Sequence, residues 1–162
     1  MGKFKGLDDI RIQERIPDEK FSLGNKTDNF HQIKHLHPVF AFDFISLNKG
    51  EFCFDGELLG RYDYIKMMKG LRSISEHTYE YMNRENRFHF HEIKWEDVTV
   101  KKSDFYKCIS RKENSDEEIC AYQFKVFEEA RIIGFLYKGV FYLVMFDRGH
   151  NAYKRKDGKK KN

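Results

Sequence analysis

Two apolar runs separated by two residues constrain this chain more than any other feature. Arg131 to Tyr137 reads RIIGFLY, Val140 to Phe146 reads VFYLVMF, and Lys138-Gly139 lies between them. Two strand-length segments joined by such a pair form a β-hairpin, because glycine takes the positive φ that a tight turn needs. Both runs are apolar at odd and even positions alike, the pattern of central strands covered on both faces. Pairing Tyr137 with Val140 places Ile133 opposite Val144 and Arg131 opposite Phe146. In that register residues 131, 133, 135 and 137 share a face with 140, 142, 144 and 146. If the second strand runs on, Arg148 and His150 join Arg131 on that face. Upstream, Tyr122, Phe124 and Val126 alternate with Gln123 and Lys125. Ala121 to Tyr153 is therefore expected to hold three central strands.

The remaining segments supply edges and cover. Val39 to Leu47 alternates as a strand, Asn48-Lys49-Gly50 is a turn signal, and Glu51 to Phe54 is expected to return as a second strand. Between Leu58 and Ile74 the period changes. Tyr64, Met67, Met68 and Leu71 fall at helical spacing with Lys66, Lys69 and Arg72 opposite, and Gly70 is a soft point. Ser75 is expected to cap a second helix running to Arg84, with Tyr79 and Met82 inward. Arg87 to Trp95 alternates again, with Phe88 and Phe90 on one face and His89, His91, Ile93 and Trp95 on the other. Ser103 to Ile109 reads as a short helix or a turn, and Arg111 to Glu118 as a solvated loop. The expected fold is α+β: a mainly antiparallel sheet of five or six strands with helices packed on one face. Residues 1–38 form an N-terminal arm with a short helix, ended by Pro38. Residues 39–153 form a single domain, and 154–162 a basic flexible tail.

Composition narrows the functional classes. Sixteen Phe and nine Tyr in 162 residues argue for an aromatic-rich core and against disorder. The three cysteines are scattered, with no CxxC pair, which suits a reducing cytosol and small buried side chains. The N-terminus has no apolar signal region, and the longest apolar run is far shorter than the roughly 20 residues that span a bilayer. A cytoplasmic protein without membrane association is expected. The net charge is +4, but six Lys and Arg against Asp157 give residues 154–162 a charge of +5, leaving the body at −1. A basic tail attracts phosphates without selecting among them. Lys154, Arg155 and Lys156 are the expected nucleic-acid contacts.

Three constellations carry possible chemistry. Arg131, Arg148, His150 and Tyr153 suit phosphodiester cleavage, with His150 as acid or base, the arginines on phosphate, and Tyr153 stacking on a base or donating a proton. The competing reading is a polar turn that ends a strand. His89 and His91 with Glu96 form H-x-H-x4-E, two strand histidines on one side with a nearby carboxylate, a spacing similar to a cupin metal motif. The glycine and the distal histidine of that motif are missing, and half-exposed sheet histidines are the expectation. His31, His35 and His37 read as a solvated helix face. No metal or cofactor is expected.

The stretch EARIIGFLYKGVFYLVMFDRGHNAYK resembles the C-terminal hairpin of the RelE/ParE-like toxins, small messenger-RNA-cleaving proteins of toxin–antitoxin modules. Arg131, the Lys138-Gly139 turn, Phe141 to Phe146, His150 and Tyr153 carry the resemblance. It implies a compact sheet with helices on one side and metal-independent RNA cleavage through the substrate's 2′-hydroxyl. It also implies RNA or ribosome association and an antitoxin partner. The alternative is a non-enzymatic protein-interaction domain of phage or mobile-element origin, since exposed Tyr and Arg also serve protein interfaces.

Overall fold

The computed structural model describes residues 30–109 and 119–154. Along the chain come α1 (Phe30–Ile33), β1 (Val39–Ala41), α2 (Arg61–Ser75), α3 (Tyr79–Arg84), β2 (His91–Glu92), α4 (Lys102–Cys108), β3 (Ala121–Phe127), β4 (Ala130–Tyr137) and β5 (Val140–Asp147). The fold is α+β. Its five-stranded sheet has the order β1-β5-β4-β3-β2, antiparallel throughout except for the parallel pair β1 and β5. The expected arm before residue 30, the loop at 111–118 and the tail from residue 155 onward, with Arg155 and Lys156, lie outside the described residues.

The three central strands form where the apolar pattern places them. Lys138 (φ 49°) and Gly139 (φ 77°) close the β4–β5 turn with both residues left-handed, the geometry that matches strand twist. The register departs from simple pairing. Tyr137 pairs with Val140 and Gly134 with Leu143, but Ile133 then pairs with Met145 and Arg131 with Asp147. One extra residue in β5, Val144, forms a β-bulge, so everything beyond it is shifted by one. Gly134 sits at the bulge because a Cβ there would lie 2.0 Å from the Tyr142 carbonyl oxygen. The expected pairings of Ile133 with Val144 and Arg131 with Phe146 are therefore incorrect, and so is a shared face for Arg131 and Arg148.

Both faces of the sheet are covered, not one. On the first face Met67, Leu71 and Ile74 of α2 and Tyr79 and Met82 of α3 pack on Phe124, Ile132, Leu136, Phe141 and Phe146. On the second, Phe105 and Tyr106 of α4, with Ile93, Val98 and Val100, pack on Ile133, Phe135, Val144 and Met145. The unbroken apolar character of β4 and β5 requires this two-sided burial. Among the described residues, no helix is long and apolar enough to cross a membrane.

Several edge segments are less regular than their alternation predicts. Only Val39–Ala41 of the first run is strand, and Glu51–Phe54 forms turns tied to the sheet by Phe146 N–H to Phe52 O (3.1 Å). Arg87 to Trp95 gives a 3-10 turn (Asn86–Phe88) and the two-residue β2, although Phe88 and Phe90 are buried together as expected. Ser75 is the last residue of α2; Thr78 caps α3, its hydroxyl accepting from Tyr81 N–H. Of the expected inward positions on α2, Met67 and Leu71 are buried, whereas Tyr64 and Met68 are exposed and Ile74 is buried beside them. His35 and His37 lie beyond the end of α1, and His37 Nδ1 donates to Ser75 O (3.1 Å).

Gly70 is the contact point of α2 on β3 and not a soft point. A Cβ there would lie 2.2 Å from the Val126 carbonyl oxygen and 2.6 Å from its Cγ2. Gly70→Ala gains about 1 kcal/mol of helix propensity but overpacks this contact, which typically costs about 1–3 kcal/mol. The expected result is a lower denaturant midpoint. A higher midpoint would show that α2 does not rest this closely on β3.

Candidate functional site

The end of the sheet farthest from the β4–β5 turn gathers polar side chains from four segments. Lys125 pairs with Arg131, Arg131 with Asp147, and two residues along β3, Gln123 pairs with His91. The chain after β5 folds back over this row. The buried Asp147 carboxylate accepts from Asn151 N–H and Ala152 N–H, each at 2.9 Å. Thr99 N–H donates to Ala152 O (2.6 Å), and Val98 bridges to Tyr153. His150 takes a left-handed conformation in this turn (φ 55°).

The return places the Tyr153 ring between two imidazoles, 5.6 Å from His150 and 6.1 Å from His91. His91 is itself held: Nδ1–H donates to Glu92 O (2.9 Å), and Nε2 accepts from the Gln123 amide (2.9 Å). His150 Nδ1 lies 3.9 Å from the Glu129 carboxylate. His89, left-handed at φ 45°, completes the group. Partial burial holds its pKa below 6.5, and the nearby charges of Arg131, Lys125, His91 and His150 push the same way. Three histidines, a lysine and an arginine thus gather at one end of the sheet.

Arg131 lies beneath the patch, its side chain 3% exposed. Nη1 donates to Glu129 O (2.9 Å) and Ala130 O, and Nη2 is 3.8 Å from the Glu129 carboxylate. Burial works against its charge, while Glu129 and Asp147 support it. Tyr153 is half-buried, and burial, with Asp97, pushes its pKa up to about 12. Among the described residues, the buried side-chain atoms without a hydrogen-bond partner are Gln123 Oε1, Arg131 Nε and the Tyr153 hydroxyl. All three belong to this site, and unpaired buried polar atoms of this kind concentrate where a protein has a functional constraint.

Arg148 is separated from the others. It faces α2, where Nε donates to Asp63 (2.6 Å) and Nη2 to Glu128 (3.2 Å), with its guanidinium 5.0 Å from the centre of the Phe127 ring. Lys66 bonds Glu128 from the same side. Lys154 is anchored by its N–H to Asp97 O (3.0 Å) and by Nζ to Glu96 O (2.6 Å). The structure therefore brings Arg131, His150 and Tyr153 together, separates Arg148, and adds His89, His91, Lys125 and Gln123. His91 and Gln123 were not legible as members, because β2 pairs with β3 across more than thirty residues. Among the described residues, no group of three His, Cys, Asp or Glu side chains could hold a metal ion.

The chain belongs to the family described as "Uncharacterised protein UU032", whose model matches residues 61–162. That span takes in every residue of the histidine patch. No curated protein and no solved structure matches the chain.

Asp147 anchors the turn, so Asp147→Ala leaves two N–H groups unpaired beside a buried guanidinium. A loss of about 2–4 kcal/mol is expected from those unmet donors, read as a fall in urea midpoint. No change would mean that the turn holds without the carboxylate. His89 gives a pH signature. Its pKa is lower folded than unfolded, so the unfolded chain binds the extra proton first, and stability falls as pH drops below 6.5. In His89→Gln the fall in urea midpoint between about pH 7 and about pH 5 should be shallower than in the wild type. An identical fall would remove His89 from the patch.

Proposed function

We propose that this chain is a toxin-like, metal-independent endoribonuclease that binds RNA at the histidine patch. The observation that carries the reading is the convergence of His89, His91, His150, Lys125 and Arg131 at one end of the sheet. Lys125 and Arg131 bring positive charge beside imidazoles that can move a proton, and a phosphodiester is the substrate group that such a set suits. The resemblance of Glu129 to Lys154 to the RelE/ParE hairpin supports the same class.

In this mechanism His89, kept neutral by its lowered pKa, takes the proton of a ribose 2′-hydroxyl. The 2′-oxygen attacks phosphorus, the bond to the 5′-oxygen breaks, and protonated His150 gives its proton to that leaving oxygen. A 2′,3′-cyclic phosphate and a 5′-hydroxyl result. The Glu129 carboxylate lies 3.9 Å from His150 Nδ1, on the side of the ring away from the transferred proton's nitrogen, Nε2. Arg131, buried below, adds positive potential without touching the substrate. Tyr153 packs against the rings of His150 and His91, and Gln123 orients His91.

The test is incubation of purified protein with messenger RNA in EDTA, with and without ribosomes. Cleavage is expected, with His89→Ala and His150→Ala each reducing the rate by about 10²–10⁴ and Arg148→Lys leaving it unchanged. Absence of cleavage by the wild-type protein in both conditions would overturn the reading. The second reading, a protein-interaction domain, is favoured by one observation: Tyr62, Ile65 and Met68 lie exposed along α2. Recovery of a protein partner lost on Met68→Glu, in a chain that cleaves no RNA, would establish it.

A further inference from the structure

The second face of the sheet carries a cavity that the histidine patch does not use. It has a volume of about 510 Å³ and is formed where the 45–53 segment crosses α4 and β5. Its walls are fixed by the sheet: Ser46 N–H donates to Val144 O (2.8 Å), and Phe54 N–H donates to Ser46 O (2.9 Å). Two thiols line it: Ser46 Oγ is 3.0 Å from Cys53 Sγ, and Cys108 of α4 faces the same cavity. Asn48 Oδ1 accepts from the Cys53 thiol. Met145, brought to this face by the bulge in β5, lines the same cavity, as does Lys107.

We infer that Cys53 and Cys108, with Met145 as a third donor, bind one soft monovalent metal ion of the Cu(I) class. Thiolate and thioether sulfur select soft ions. Among the described residues no three His, Cys, Asp or Glu side chains form a metal group, so a tetrahedral Zn²⁺ set is not provided, whereas Cu(I) accepts two or three sulfur donors. Binding forms two metal–sulfur bonds to thiolates and releases the two S–H protons to solvent. The ion and two thiolates then carry one net negative charge, and the Lys107 ammonium at the cavity wall is paired with Asp104 (2.9 Å). Burial raises the pKa of the Cys108 thiol. This site is independent of the RNA-cleaving reading.

The test is anaerobic titration of the full chain with Cu(I), with bicinchoninate as competing chelator and a phosphine reductant present. One ion per chain is expected to leave the chelator. Cys53→Ser combined with Cys108→Ser should abolish the transfer, Met145→Leu should weaken it about tenfold, and Cys120→Ser should bind as the wild type does. Affinity should rise steeply with pH, because two protons leave. Circular dichroism establishes that each variant is folded. No transfer to the wild-type chain, or equal transfer to the folded double-serine variant, would overturn the assignment.

Discussion

One extra residue in β5 sets the layout of this molecule. Because Val144 has no partner of its own on β4, Val144 and Met145 both face α4, and Asp147 arrives opposite Arg131. A hairpin paired without that bulge would set Phe146 against Arg131 and turn Asp147 to the other face. The bulge depends on Gly134, since any side chain there would strike the neighbouring backbone. A backbone irregularity in the middle of the apolar core therefore decides the chemistry at its end.

Asp147 transmits that placement to the rest of the site. A buried carboxylate needs donors, and it finds them in the two N–H groups that turn the chain back over the sheet. The turn delivers His150 and Tyr153 to the edge held by His91. The next residue along, Arg148, points the other way and joins Asp63 and Glu128, tying the start of α2 to the β3–β4 turn. Neighbouring residues 147 and 148 thus serve opposite faces, one assembling the histidine patch and the other holding a helix.

The same two-sidedness leaves room for a second polar region. The irregular 45–53 segment is bound to the sheet by a few backbone hydrogen bonds and does not pack flush against α4. Ser46, Cys53 and Cys108 line the gap between them. Regular strand pairing in that segment would have closed the space and set alternate side chains outward.

The sequence by itself determined the elements with strong periodicity: the tight hairpin, the third central strand, the amphipathic helix within residues 58–74, and the burial of Tyr79, Met82, Phe88 and Phe90. Apolar spacing dictates these locally, because each segment can bury its face in only one way. It also singled out Arg131, His150 and Tyr153, which are close in sequence or set by one turn. The tertiary structure alone decided the rest. A bulge leaves no reliable mark in an uninterrupted apolar run, so the face of Arg148 was misread. The edge strands shrank because their alternation reflected burial in turns as much as in a sheet. His91 and Gln123 joined the site through pairing between distant strands, and Cys53 and Cys108 came to one cavity where the 45–53 segment lies against α4. Such contacts depend on which surfaces meet, and no local pattern encodes that.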